Sequence, residues 1–96
     1  MNLVYHELVQ KDINGILRHY ADVSSRLADD FWDEFTKIVA LIKENPQRFH
    51  YEKRPIRRAT FTRFPYCIAY QVFENHIKVM VVKHESRKPS FGSWRK

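Results

Sequence analysis

Five basic residues cluster in one short stretch of this chain. They are Lys53, Arg54, Arg57, Arg58 and Arg63. Guanidinium groups bind phosphates through paired hydrogen bonds, and arginines on a strand hold a more fixed geometry than arginines on a loop. The stretch therefore predicts an anion-binding surface for nucleic acid or for an acidic protein segment. The alternative is a solvated strand edge whose charges discourage aggregation.

A second group, His84 and Arg87, follows the last predicted strand. A histidine titrates near neutral pH, so it can exchange protons beside an arginine that stabilises a phosphate. Such a pair is the minimum for cleaving RNA through its 2′-hydroxyl. A lone histidine at a strand end is more often a surface or capping residue, and both interpretations stay open.

Other chemistry is disfavoured by what the chain lacks. The remaining histidines show no ligand spacing such as His-x-x-x-His, and the single cysteine, Cys67, cannot build a structural zinc site. The only glycines are Gly15 and Gly92, so there is no Gly-rich phosphate loop. We expect no metal centre and no cofactor.

Four aromatic residues lie in the predicted sheet region and could stack on bases: Phe61, Phe64, Tyr66 and Tyr70. Aromatic residues at strand spacing more often belong to the core, and we favour that interpretation.

Charge is divided unequally along the chain, whose formal net charge is +6. Residues 1–50 carry six Lys/Arg against eight Asp/Glu, giving −2, whereas residues 51–96 carry eleven against three, giving +8. A basic half attracts phosphate backbones or acidic protein segments through salt-sensitive steering. The expected partner is therefore anionic.

Nothing in the sequence predicts export or membrane insertion. A single cysteine allows no disulfide within the chain, which is typical of a reducing compartment. The amino terminus lacks the features of a signal peptide, and no window approaches the roughly 20 apolar residues that a membrane span requires. We expect a soluble, cytoplasmic protein.

The spacing of apolar residues changes along the chain. Residues 2–6 are predicted to form a short strand, and a 3.6-residue period from Val9 predicts a first amphipathic helix. Ser24 and Ser25 are candidate N-caps of a second helix, which Pro46 ends. The two helices should form a hairpin with a continuous apolar face.

After a predicted linker at 47–55, the period becomes two. Residues 56–62, 66–73 and 77–84 are predicted to form an antiparallel meander. Residues 85–96 form a polar, basic C-terminal tail, which we expect to dock loosely or to order on a partner, with Arg87, Lys88 and Trp94 as candidate contacts. The fold class is α+β, in the order β-α-α-β-β-β, with one domain over 1–96 and the helical hairpin on one face of a small sheet.

The element order and several short motifs resemble the RelE/ParE superfamily of bacterial toxins. The motifs are Asn45-Pro46 after the second helix, Arg57-Arg58 opening the meander, Arg63-Phe64-Pro65-Tyr66 before the middle strand, Ile68-Ala69-Tyr70-Gln71-Val72 within it, and the basic exit from His84 to Pro89. The resemblance covers the chain up to Pro89. It implies the toxin half of a type II toxin–antitoxin pair, with a cognate antitoxin whose acidic or amphipathic segment folds across the toxin.

The superfamily contains branches with different targets. The resemblance to the messenger-RNA-cleaving branch implies a ribosome-dependent endonuclease that uses Arg58, His84 and Arg87 for phosphate binding and proton transfer. That branch typically has an arginine where this chain has Cys67, and a second basic residue where it has Thr60. The motifs are more like those of ParE-type and plasmid-stabilisation proteins, which implies a non-enzymatic growth inhibitor that acts on DNA gyrase. The ribonuclease is the alternative.

Overall fold

Two helices and five strands make up the fold, and the computed structural model describes residues 1–96. In chain order the elements are β1 (Asn2–Tyr5), α1 (Val9–Ala21), α2 (Ser25–Glu44), β2 (Tyr51–Lys53), β3 (Ile56–Thr60), β4 (Tyr66–Val72) and β5 (His76–His84). The helices pack on one face of a mostly antiparallel open sheet. The predicted α+β class is confirmed.

The two helices begin and end where local chemistry favours it. Ser24 caps α2, because its side-chain oxygen accepts a hydrogen bond from the backbone N–H of Arg26 at 3.2 Å. The helix ends at Glu44, two residues before Pro46, as the backbone restriction before a proline requires. Neither helix carries an apolar stretch long enough to cross a bilayer.

The sheet has the strand order β1-β5-β4-β3-β2. Strand β1 runs parallel to β5, and the other neighbours are antiparallel. The predicted linker at 47–55 was wrong in one part, because Tyr51–Lys53 forms the edge strand β2. Three residues are too few for a period to emerge, and this strand is defined by its pairing with β3 rather than by its own pattern.

The core lies between the helical hairpin and the face of the sheet that carries Ile68 and Tyr70. Phe31 and Ile42 of α2 are fully buried against this face, together with Val79 of β5. The aromatic residues predicted for the core are placed there, since Phe61, Phe64, Tyr66 and Tyr70 all belong to the cluster or pack against it.

The C-terminal tail, residues 85–96, lies against the other face of the sheet. Gly92 has a positive φ of 82°, and a Cβ at this position would lie 2.9 Å from the side chain of Val81, so only glycine allows the tail to approach so closely. Arg95 is buried and donates hydrogen bonds to Asp12 of α1 and to the carbonyl of Met80. This arrangement differs from the loosely docked tail expected from composition, because one buried arginine anchors an otherwise polar segment.

Candidate functional site

A cleft opens between α1, the end of β5 and the start of the C-terminal tail, with a volume of about 280 Å³. We call it the His84 cleft. Its lining residues are Asp12, Gly15, Ile16, His19, Tyr66, Val82, Lys83, His84, Arg87 and Phe91. The predicted pair His84 and Arg87 therefore lies in one site, because the turn at Glu85 and Ser86 keeps Arg87 beside the end of the strand, with its backbone N–H donating to the His84 carbonyl.

His84 is held in a defined orientation by the turn that follows it. The backbone N–H of Ser86 donates to Nδ1 of His84 at 3.1 Å, and the Ser86 hydroxyl lies 2.8 Å from the same nitrogen. Nδ1 must therefore be unprotonated, and the ring proton lies on Nε2. In this geometry the imidazole can donate a hydrogen bond through Nε2, while the Nδ1 lone pair is engaged with Ser86.

Arg87 is the unpaired cation of the cleft. Its side chain takes part in none of the four ion pairs of the structure, and its guanidinium lies over the ring of Phe91 with 4.7 Å to the centroid. Stacking on an aromatic ring orients the guanidinium without using its hydrogen-bond donors. Arg87 is therefore free to bind an anion.

Tyr66 forms the aromatic floor of the cleft. Its ring makes an edge contact with His84, with 5.3 Å between the centroids. Burial raises the pKa of the Tyr66 hydroxyl, so this group stays neutral well above physiological pH. A ligand that contacts the Tyr66 ring would therefore meet an uncharged group.

Gly15 and His19 bring α1 into the cleft. The two residues are four apart, so they occupy the same side of the helix. An ideal Cβ at Gly15 would meet no atom within 4 Å. Neither residue was predicted from the sequence to belong to a site. The one signal was Gly15 itself, because a glycine inside an amphipathic helix lowers the stability of that helix.

The five predicted basic residues do not share one surface. Alternate residues of a strand point to opposite faces, and Arg57 and Arg58 are neighbours in β3. Arg57 donates to the carbonyl of Phe49 at 2.7 Å and stacks on Tyr51 at 4.0 Å. Arg58 lies on the face covered by the C-terminal tail and forms an ion pair with Glu52 at 3.2 Å. Arg58 also donates to the carbonyl of Glu85 at 3.5 Å, so it contacts the residue that follows His84.

Arg63 lies on the loop before β4 and is tied to α2. Its guanidinium forms an ion pair with Asp30 at 3.2 Å, and its backbone N–H donates to Glu34. Burial alone would raise the pKa of Glu34, but hydrogen bonds from Thr62 and Arg63 and the charge of Arg63 together lower it. The Arg63 side chain is 61% exposed and stays accessible to a partner.

The other predicted contact residues lie at the surface. Lys53 ends β2, and Arg54 lies in the turn before β3, where its guanidinium lies 4.4 Å from the ring centroid of Tyr51. Lys88 and Trp94 are exposed on the C-terminal tail, and Trp94 keeps 66% of its surface in solvent. An exposed tryptophan is typical of a protein-binding surface.

A buried ion cluster under the C-terminal tail was not predicted. Glu52 accepts from Arg58 and, at 3.0 Å, from the ammonium group of Lys83, whose side chain is 1% exposed. Lys83 also donates to the carbonyls of Lys88 and Pro89, so it fixes the tail to the sheet. No group of three or more His, Cys, Asp or Glu side chains is arranged to hold a metal ion.

The fold and the cleft together define a small α+β protein of the RelE/ParE type. The family model of the ParE toxin of the type II toxin–antitoxin system parDE matches residues 3–89, and the chain belongs to this family. It is also similar to a solved structure described as a chromosomal ParDE toxin–antitoxin system from P. aeruginosa, with a TM-score of 0.77 and 17% identity over 88% of this chain and 95% of that chain. At this identity the likeness shows the fold. No curated protein sequence matches the chain.

Proposed function

We propose that this protein is a cytoplasmic growth inhibitor that acts on DNA gyrase and is neutralised by a cognate antitoxin. The observation that carries the proposal is the match to the ParE toxin family over residues 3–89, which is nearly the whole chain. The similar structure from P. aeruginosa is described as a ParDE toxin–antitoxin system, which supports a protein antitoxin as the partner.

The antitoxin would use the cations that the fold leaves free. Arg58, Lys83, Arg95 and Arg63 are engaged with Glu52, Asp12 or Asp30 inside the molecule. The exposed members of the predicted set are Lys53, Arg54, Arg87 and Lys88, with Trp94 as an apolar anchor. An acidic antitoxin segment that contacts them gains affinity from charge complementarity, and this gain decreases with added salt. Arg63, whose side chain is 61% exposed, lies at the other end of β3 and is a separate candidate contact.

Two observations support a gyrase inhibitor over a ribonuclease. Arg58 donates to the Glu52 carboxylate at 3.2 Å and to the carbonyl of Glu85 at 3.5 Å, so part of its hydrogen-bonding capacity is already used within the molecule. The Nδ1 lone pair of His84 accepts a hydrogen bond from the Ser86 N–H, so this bond would have to break before Nδ1 could take a proton from a substrate hydroxyl. In RNA cleavage, a proton-transfer group or a phosphate contact that is not available commonly lowers the rate by orders of magnitude.

Three assays test the proposal. Induced expression without the antitoxin should arrest growth, and co-expression of the neighbouring gene should restore it. Purified protein should inhibit DNA supercoiling by gyrase in vitro, and supercoiling unaffected by excess protein would contradict the gyrase target. Messenger RNA on translating ribosomes should stay intact, and codon-aligned cuts abolished by His84→Ala or Arg87→Ala would establish the ribonuclease instead.

A further inference from the structure

A pocket with a volume of about 350 Å³ opens between the end of β1, the start of α1 and the middle of α2. We call it the Trp32 pocket. It shares no lining residue with the His84 cleft, and no lysine or arginine lines it. The pocket is therefore separate from the cationic surfaces that the proposed function uses.

Aromatic side chains form much of the wall of the Trp32 pocket. Trp32 and Phe35 lie three residues apart on α2, so they share one side of the helix, and their rings stack with 5.5 Å between the centroids. Phe35 is buried, but Trp32 and Tyr5 keep 45% and 47% of their surface in solvent. Neither Trp32 nor Tyr5 belongs to the hydrophobic core, so the fold leaves much of their aromatic surface uncovered.

The polar groups of the pocket include two free acceptors. Glu7 is exposed and takes part in none of the four ion pairs of the structure. The Gln10 amide nitrogen donates to the side-chain oxygen of Asn14 at 2.8 Å, which leaves the Gln10 carbonyl oxygen available. His6 accepts the backbone N–H of Leu8 on Nδ1, so its imidazole is neutral in this geometry. The carboxylate of Glu7 is thus the one charge that lines the pocket.

We propose that the Trp32 pocket binds a small organic cation, in the class of alkylamines and quaternary ammonium compounds. The cationic group lies over the ring of Trp32, the carboxylate of Glu7 neutralises its charge, and the apolar part of the ligand contacts Tyr5. The inference goes beyond the proposed function, because it requires neither gyrase nor an antitoxin.

The sign of the charge in the pocket is opposite to that of the chain. The chain has a net charge of +6, whereas the pocket presents one unpaired carboxylate. An anionic ligand would be repelled by Glu7, and a neutral ligand would leave that carboxylate without a partner. Aromatic faces attract cations through the ring quadrupole, and tryptophan does so most strongly. Proteins recognise quaternary ammonium groups with aromatic side chains in this way.

The overall charge also favours a free small molecule over a basic side chain of a bound protein. A basic protein segment approaches a molecule of net charge +6 against long-range repulsion, whereas a single small cation meets far less of it. The volume of about 350 Å³ lies near the lower end of the range for ligand pockets, which suits a compact ligand.

The test uses the full chain with choline, butylamine and the uncharged isostere of choline in which carbon replaces nitrogen. Chemical-shift titration of the backbone amide NMR signals measures the affinity of each probe. Trp32→Leu removes the aromatic face and keeps an apolar side chain, and Glu7→Gln removes the charge and keeps the shape. The matched controls are Trp94→Leu and Glu74→Gln, which make the same changes at exposed positions outside the pocket.

We expect a bound cation to shift the indole N–H signal of Trp32 and to leave that of Trp94 in place. Trp32→Leu and Glu7→Gln should each weaken the binding of choline by about fivefold or more, and both controls should stay within about twofold. The uncharged isostere should bind the wild type more weakly than choline by a similar factor. Both changed positions are exposed, so the variants should melt close to the wild type, which separates lost binding from misfolding. Trp32→Phe keeps an aromatic ring and should bind choline with intermediate affinity.

Three results would overturn the proposal. One is a wild type whose pocket signals respond to neither choline nor butylamine. Another is equal affinity for choline and its uncharged isostere, which would mean that the pocket is only apolar. The third is a short lysine-containing peptide that binds at the same residues about tenfold or more tightly than both amines, which would assign the pocket to a basic protein partner. A preference for choline or for butylamine would define the ligand as a quaternary ammonium compound or a primary amine, and either result supports the site.

Discussion

Replacing Arg95 with methionine should be the most damaging single change in the C-terminal tail. The guanidinium donates to the Asp12 carboxylate at 2.6 and 2.9 Å and to the Met80 carbonyl at 3.1 Å. The side chains of Arg95 and Asp12 are only 7% and 13% exposed. Methionine keeps the apolar stem, but it leaves Asp12 with the backbone N–H of Val82, at 3.1 Å, as its remaining donor.

The expected loss follows from the charge that stays behind. Removing one partner of a buried ion pair costs about 3–5 kcal/mol, because the other charge remains desolvated. Asp12 keeps one hydrogen-bond donor and lines the His84 cleft, where water can reach it. We therefore expect Arg95→Met to lower the free energy of unfolding by about 3 kcal/mol, the lower end of this range. In a domain of this size each kcal/mol lowers Tm by about 4–8 °C, which gives a decrease of about 12–24 °C.

Thermal and urea unfolding followed by circular dichroism measure this loss. Lys96→Met, at the exposed neighbouring position, is the control and should leave Tm unchanged. The double variant Asp12→Asn/Arg95→Met should lose less unfolding free energy than the two single variants lose together, because no unpaired buried charge remains. A decrease in Tm of less than about 3 °C for Arg95→Met would refute the conclusion that this arginine anchors the tail.

Three further changes test other parts of the structure. Gly15→Ala should raise the free energy of unfolding by about 1 kcal/mol, since the new methyl group meets no atom and alanine favours the helix. A lower stability of this variant in urea unfolding would contradict the absence of packing contacts at position 15. Because the pKa of Glu34 is lowered in the folded state, its contribution to stability is present above its unfolded pKa and is lost as pH decreases through the folded value. Glu34→Gln should therefore flatten the acid side of a stability–pH curve, and an unchanged slope would contradict the role of its bonds to Thr62. Tyr70→Phe removes the hydrogen bond to the Pro46 carbonyl at 2.7 Å and should cost about 1 kcal/mol in urea unfolding; a variant as stable as the wild type would show that water replaces this bond.

The sequence predicted the parts of the fold that local patterns govern. The helices follow from the 3.6-residue period, the Ser24 cap and Pro46, and the three longest strands follow from alternation. Strand β2 and the docked C-terminal tail escaped prediction, because both depend on partners distant in the chain. Arg95 looks like one more surface cation until α1 places Asp12 beside it.

The candidate site was predictable to a similar extent. His84 and Arg87 are three residues apart, so their proximity could be read from the chain. Gly15 lies about seventy residues earlier, and only the packing of α1 beside β5 brings it to them. The strand pattern also implied that Arg57 and Arg58 point to opposite faces, whereas composition alone suggested a single basic surface.

The contact between Asp12 and Arg95 also closes an open margin of the sheet. Strand β1 pairs with β5 only as far as Val79, and beyond that point side chains take the place of a neighbouring strand. The carboxylate of Asp12 accepts from the N–H of Val82, and the guanidinium of Arg95 donates to the carbonyl of Met80. An incoming extended chain would have to displace an ion pair before it could bind there, so this margin is guarded against the intermolecular strand pairing that leads to aggregation.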